Sequence, residues 1–282
     1  MPDFLKLVKS ILKYLFIIFF AVFFFFPLFW MMIVSIKFSI DSFTMSVIPF
    51  LQFNPTLENW EWELITTSAQ NIKFLLNSTT IGLGSGAIAT LLGGFAGYAL
   101  ARYEFKRVGN LNILTWFLSL RFLPPIALAI PIFVMMQSIG LLDNVIGMVL
   151  IYSSAFTPYS VLVMRDAFRS LPPEMEESAF IDGASVLKTL RVIVLPLVVP
   201  ALAAIFMLTF TFSWNEFLFA LVLTIEKAVT VPIRLAGTVT TVGVLFYQLS
   251  VRQLIASVVP ITLGILVQKY IVSGLTMGAI KA

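Results

Sequence analysis

Two residue types are missing from this chain: none of its 282 positions is cysteine or histidine. Their absence excludes disulfides, thiol nucleophiles, imidazole bases and the usual ligand sets of zinc, haem and iron–sulfur sites. It says nothing of the redox compartment. Charge is also scarce, with Asp, Glu, Lys and Arg together only 11% of the chain. Inside the long apolar runs Glu216 is the only acidic residue, so there is no second carboxylate to share acid–base work. Catalysis by this chain alone is thereby disfavoured, and neither a metal nor a cofactor is expected on it.

What is present is apolar surface: 60% of the residues are hydrophobic and the mean hydropathy is +1.01. A bilayer core about 30 Å thick is crossed by roughly 20 apolar residues in a helix. Six runs reach that length, at 11–36, 74–101, 111–139, 145–164, 192–224 and 254–273. They predict an all-α integral membrane protein with a short N-terminus (1–10), a six-helix membrane domain (11–273) that includes a long polar loop (165–191), and a C-terminal tail (274–282). Lys6, Lys9 and Lys13 precede the first run, which is too long for a cleavable signal and lacks a small-x-small site, so it reads as an uncleaved span. The stretch 235–249 is short and Thr-rich and reads as a partly inserted helix pair rather than a seventh span.

Basic residues in short loops resist translocation. With the N-terminus inside, Lys6, Lys9, Lys13, Arg102, Lys106, Arg107, Arg165, Arg169, Lys188, Arg191, Lys269 and Lys281 fall on the inner side. Only Lys37, Lys73, Lys227, Arg234 and Arg252 fall outside, and Arg121 lies within the third run. Both termini therefore read as cytoplasmic. The same asymmetry accounts for most of the net charge of +4, which gives no reason to invoke nucleic acid.

The loop between the fourth and fifth runs carries the most information. After Arg169 it reads Ser170-Leu171-Pro172-Pro173-Glu174-Met175-Glu176-Glu177-Ser178-Ala179-Phe180-Ile181-Asp182-Gly183. Ser170 can cap a helix, prolines are tolerated in its first turn, the acidic cluster suits the positive end of its dipole, and Gly183 can end it in the left-handed conformation. A second helical stretch, 184–191, leads directly into the fifth run. Two short helices hinged at Gly183 suit either mechanical coupling to a soluble partner or a plain solvated connector. The pattern Glu177-Ser178-Ala179, three residues, Gly183, nine residues, Ile193-x-Leu195-Pro196 resembles the EAA loop of binding-protein-dependent ABC importer permeases, with Ser178 replacing one Ala.

The resemblance implies that Glu176, Glu177, Ser178, Ala179, Asp182, Gly183 and Pro196 belong to the element that docks on an ATP-binding subunit. ATP and Mg would be bound by that subunit, in keeping with the lack of a phosphate loop in this sequence. From about Asn54 to Lys281 the chain resembles the smaller permease of maltose-type oligosaccharide importers, through 53–60, 181–185, Trp214-Asn215-Glu216-Phe217 and a tail with Gly274, Leu275, Gly278 and Lys281. That subfamily implies a second permease, two ATP-binding subunits toward which the tail reaches, an external solute-binding protein and a sugar, with lipid around the spans of a bacterial or archaeal inner membrane. The outer segment 37–70, with Trp60, Trp62, Glu58, Glu61 and Glu63, reads either as a docking surface for the binding protein or as an interfacial aromatic belt.

Within the spans, Gly82-x-x-x-Gly86 and Gly93-x-x-x-Gly97 predict close helix packing. Pro124-Pro125 and Pro131 break the third run, and Pro196 and Pro200 kink the fifth, which makes these spans candidates for a translocation path. Arg121, Trp214, Asn215 and Glu216 are the candidate path or gate residues. Arg121 and Glu216 are also the only pair that an ion-coupled transporter could use, so that reading, a membrane-embedded enzyme and an ABC permease for a non-sugar solute stand as alternatives.

Overall fold

The computed structural model describes residues 2–241 and 243–279. Among them, five helices are long and apolar enough to cross a membrane. These are the part Lys9–Ser35 of α1 (Pro2–Ser35), α3 (Ser68–Arg102), α6 (Val145–Arg169), the run Val186–Asn215, and the part Phe246–Tyr270 of α12 (Phe246–Ala279). A sixth crossing exists only as a bent pair: α4 (Asn110–Ser119), extended by the 3-10 turn Leu120–Phe122, meets α5 (Pro125–Ser138) at 92°.

That corner is sharper than a proline kink. Leu123 and Pro124 both take extended backbone, as residues that precede proline are forced to do, and Pro125 then starts a new helix at a position where its missing N–H costs nothing. Pro131, by contrast, is carried inside α5 without a break. The fifth run also departs from the single long helix of 192–224 expected from its hydropathy. It begins with α8 (Val186–Thr189), passes through a π-turn (Leu190–Val194), continues as α9 (Leu195–Asn215) and stops. A separate short helix, α10 (Leu218–Leu223), follows. The cause of the break is Glu216, whose carboxylate accepts from the amides of Phe219 (3.1 Å) and Ala220 (3.3 Å) and so caps the new helix.

The chain forms two compact units, Met1–Ile72 with Leu235–Val258, and Lys73–Arg234 with Val259–Ala282. The first contains a 3-10 turn (Ile40–Phe43), α2 (Glu58–Glu61) and a π-turn (Trp62–Thr66). It also contains a two-stranded hairpin, β1 (Val239–Thr240) with β2 (Gly243–Val244), where a helix pair was expected. Threonine and valine crowd a helix but fit a pleated strand, and Gly243, at φ +116°, provides a conformation that other residues avoid. Glu63 is not a wet outer carboxylate: it is fully buried against Arg252 (2.8 Å). Lys37 is buried as well, its Nζ donating to Thr44 O (2.9 Å) between the rings of Trp30 and Phe53. Burial holds its pKa below the ordinary lysine value, against the opposing pull of Asp41.

In the second unit the glycines of α3 decide the packing. A Cβ on Gly82 would lie 2.9 Å from the Phe210 ring and one on Gly86 3.3 Å from the Phe206 ring, so this pair receives α9. A Cβ on Gly93 would fall 2.1 Å from Ser160 Cβ and one on Gly97 2.7 Å from the Arg165 amide, so the second pair receives α6. Close backbone approach of this kind is what small residues at four-residue spacing allow.

Candidate functional site

The loop resolves into α7 (Glu174–Ile181), capped at one end by proline geometry and at the other by glycine. Ser170 does not cap it. Its Oγ donates to Ala167 O (2.7 Å) and closes the last turn of α6, while Pro173 occupies the N-cap position and Glu174, Glu176 and Glu177 fill the first turn. At the other end the Gly183 amide reaches Phe180 O (3.0 Å) and the Ala184 amide reaches Ala179 O (2.9 Å), the two bonds of a Schellman stop, with Gly183 at φ +80°. Ser185 then starts α8 by accepting from the Lys188 amide (3.4 Å).

One acidic side chain of α7 turns inward. Glu176 is buried, accepts from Arg102 Nε (2.6 Å) and from the Tyr98 hydroxyl (2.7 Å), and so ties α7 to the last turns of α3. Arg102 also donates to Leu171 O (3.2 Å), which fixes the approach to α7. Ala179, one turn on, is buried on the same side. The opposite side is open: Glu177, Ser178 and Asp182 are exposed, and so are the large apolar side chains of Phe180, Ile181 and Leu187. α7 is thus pinned through one face and presents apolar and acidic groups on the other.

Pro196 lies one residue into α9, on an exposed position. A proline there removes an amide donor and pushes against the preceding turn. The π-turn absorbs the conflict, since the Leu195 amide reaches back to Leu190 O instead of one residue less. The loop thus runs without a linker into one apolar helix of 30 residues, Val186–Asn215.

The four path candidates do not converge. Arg121, in the turn before the 92° corner, lies 3.9 Å from the centre of the Tyr159 ring. Glu216 accepts from the Tyr152 hydroxyl (2.6 Å) while capping α10. Trp214 is buried against Phe210, and Asn215 is exposed, donating to Thr211 O (2.8 Å). Of the tail candidates, Gly274, Leu275 and Gly278 fall on the last turns of α12, and Lys281 lies outside the described residues.

A structured loop past α10 had no signal in the sequence. The carboxylate of Asp143, between α5 and α6, accepts from the amides of Ile225, Glu226, Lys227 and Ala228 at 2.9–3.0 Å, and the Asp143 amide donates to Leu223 O (2.9 Å). Burial pushes the Asp143 carboxyl up, but the four amides outweigh it and hold its pKa below the ordinary value. Asn77 adds a second tie, donating to Lys227 O (2.8 Å) and Val229 O (2.9 Å), and Ser78 accepts from the Val231 amide (2.8 Å). Nothing in a lone Asp or in Asn-Ser-Thr marks such partners, which lie some 80 to 150 positions away.

The described residues form a mostly helical membrane protein of several spans, in which the short helix α7 is tied to the last turns of α3. The family described as "Binding-protein-dependent transport system inner membrane component" matches residues 89–276, well over half of the chain, and the protein belongs to it. It is 34% identical to the trehalose/maltose transport system permease protein MalG of Thermococcus litoralis, over 98% of both chains. It is 31% identical to the galactooligosaccharides transport system permease protein GanQ of Bacillus subtilis, over 98% of this chain and 97% of that one. A crystal structure of a bacterial ABC transporter involved in import of the acidic polysaccharide alginate shares the fold, with a TM-score of 0.73 at 21% identity over 94% of this chain and 97% of the other.

Proposed function

We propose that this permease forms part of the path by which a sugar, in particular an oligosaccharide, is imported, and that α7 couples the path to ATP hydrolysis on a separate chain. Its relatives that transport trehalose, maltose and galactooligosaccharides support the substrate class. The observation that carries the coupling role is α7 itself, anchored through Glu176 to Arg102 and Tyr98 and open on its other face. In the working complex a second permease pairs with this one, two ATP-binding subunits hold ATP and Mg, and an external solute-binding protein delivers the sugar. Both termini lie in the cytoplasm, as the distribution of Lys and Arg directs. Glu177, Ser178, Asp182 and the exposed apolar side chains of α7 meet the ATP-binding subunit, whereas Glu176, Ala179, Gly183 and Pro196 shape and hold the element that does so. The tail from Gly274 through Lys281 makes a second contact with the ATP-binding pair.

The ion-coupled alternative gains no support, because Arg121 and Glu216 each engage a different tyrosine. The test is uptake and sugar-stimulated ATP hydrolysis by the reconstituted complex. Glu177→Ala and Asp182→Ala are expected to lower both while the complex stays inserted and assembled. Normal transport by the double variant would sink the coupling role. The solute retained by the copurified binding protein identifies the sugar.

A further inference from the structure

A polar cavity of about 400 Å³, distinct from α7's exposed face, opens where α3 ends, α4 begins and α6 finishes. Its floor is built rather than incidental. Asn110 accepts from the Phe105 amide (2.9 Å) and donates to Leu100 O (3.0 Å) and Tyr103 O (2.7 Å), and the Gly109 amide, in the left-handed region, closes on Phe105 O (2.7 Å). The cations Arg102, Lys106, Arg165 and Arg169 line it, with Glu104 as the one lining carboxylate.

Two of the four cations are already matched, Arg102 by Glu176 (2.6 Å) and Arg165 by Asp166 (2.9 Å). Four positive charges against Glu104, Glu176 and Asp166 leave a surplus of one, carried by Lys106 and Arg169. The Nε of Arg165 is buried and has no hydrogen-bond partner. Such a cavity suits a monoanion with several acceptor oxygens. Its rim carries apolar groups: Tyr103 and Phe105 line it and are exposed, the exposed Val108 and Leu111 flank its lining residues Gly109 and Asn110 in the chain, and α4, which starts at the cavity, has no buried residue. A free ion has no use for that rim, but an amphiphile does.

We propose that this cavity binds the phosphodiester headgroup of an anionic phospholipid, with Lys106 and Arg169 on the phosphate and the acyl chains along the exposed face of α4. Basic pockets between spanning helices take such headgroups, and each Lys or Arg contributes about a fivefold gain in affinity.

Native mass spectrometry of the purified full chain in neutral detergent tests this with phosphatidylglycerol and with phosphatidylcholine of the same acyl chains. Phosphatidylglycerol is expected to be retained and phosphatidylcholine not. Lys106→Gln with Arg169→Gln is expected to lose about thirty-fold in phosphatidylglycerol affinity, while Lys106→Arg with Arg169→Lys keeps it. In the unmodified chain, brominated phosphatidylglycerol is expected to quench Trp116, exposed on α4, read as the difference from Trp116→Phe. Equal retention of the two lipids, an unaffected glutamine variant or an unquenched Trp116 overturns the proposal. Displacement of the lipid by inorganic phosphate overturns it in favour of a free anion, and its exclusion by an ATP-binding subunit in the assembled complex overturns it in favour of a protein contact.

Discussion

Glu176→Gln is a small change with a calculable local effect. The side chain is 5% exposed and its partner Arg102 13% exposed, so the ion pair is largely shielded from water. Removing one member of a buried pair costs about 3–5 kcal/mol, because the other charge is left uncompensated. Glutamine still accepts from Tyr98, and Arg102 keeps Leu171 O, so the lower figure of about 3 kcal/mol applies. The loss falls on α7, which has eight residues and few other ties, and not on the whole bundle. Its amides should then open about 150-fold more often, since 1.4 kcal/mol is a factor of ten. Hydrogen exchange of peptides covering 174–184 measures this in the purified complex. The doubly apolar variant Arg102→Met with Glu176→Leu is expected to restore protection to within about tenfold, because exchanging both members of a buried pair is often neutral. Exchange in Glu176→Gln within threefold of the unmodified protein would refute the anchoring role, whatever happened to transport.

Other substitutions address other parts of the argument. Gly183→Ala forces a side chain into the left-handed region at φ +80° and should destabilise the end of α7 by about 1–2 kcal/mol, with Gly183→Asn milder; exchange of the Ala184 amide reads both. Gly93→Ala places a methyl 2.1 Å from Ser160 Cβ and should cost about 1–3 kcal/mol, lowering the midpoint of thermal unfolding, whereas Gly94→Ala, with nothing within 4 Å, should leave it unchanged. Asp143→Asn should release the segment 225–228, seen as new proteolytic cleavage there. Because the folded pKa of Asp143 lies below the unfolded one, its contribution is fully present above the ordinary carboxylate value near 3.8 and is lost as pH falls through the lower folded value. The unmodified chain should therefore resist cleavage at 225–228 down to that acidic range.

Hydropathy and proline positions made the helical class and most spans readable, because both act within one segment. The places where the reading went wrong depend on distant partners or on competition between conformations. An apolar run longer than a bilayer says "helix" until a carboxylate at Glu216 finds amides to cap and ends it. Val239 and Thr240 are apolar enough to suggest insertion, yet their branching favours the hairpin that forms. Within the loop, the acidic cluster marks the first turn of α7 and Gly183 its end, because both signals act locally. That Glu176 faces inward and Glu177 outward could not be read, since neighbouring residues on a helix point about 100° apart and only the position of Arg102 decides which is buried. Arg102 itself looked like one more basic residue of a loop.

The helix Val186–Asn215 has one further consequence. At 1.5 Å per residue its 30 residues make a rod of about 45 Å. The tightest packing that α3 offers it lies at Gly82 and Gly86, against Phe210 and Phe206, near one end of the rod. Were the rod to turn about that contact, the arm toward Val186 would be about 33 Å and the arm toward Asn215 about 10 Å. A shift at the loop end would arrive at the far end reduced about threefold and reversed in direction, with force gained in the same proportion. On that geometry a large displacement at the loop would become a small one beside Glu216.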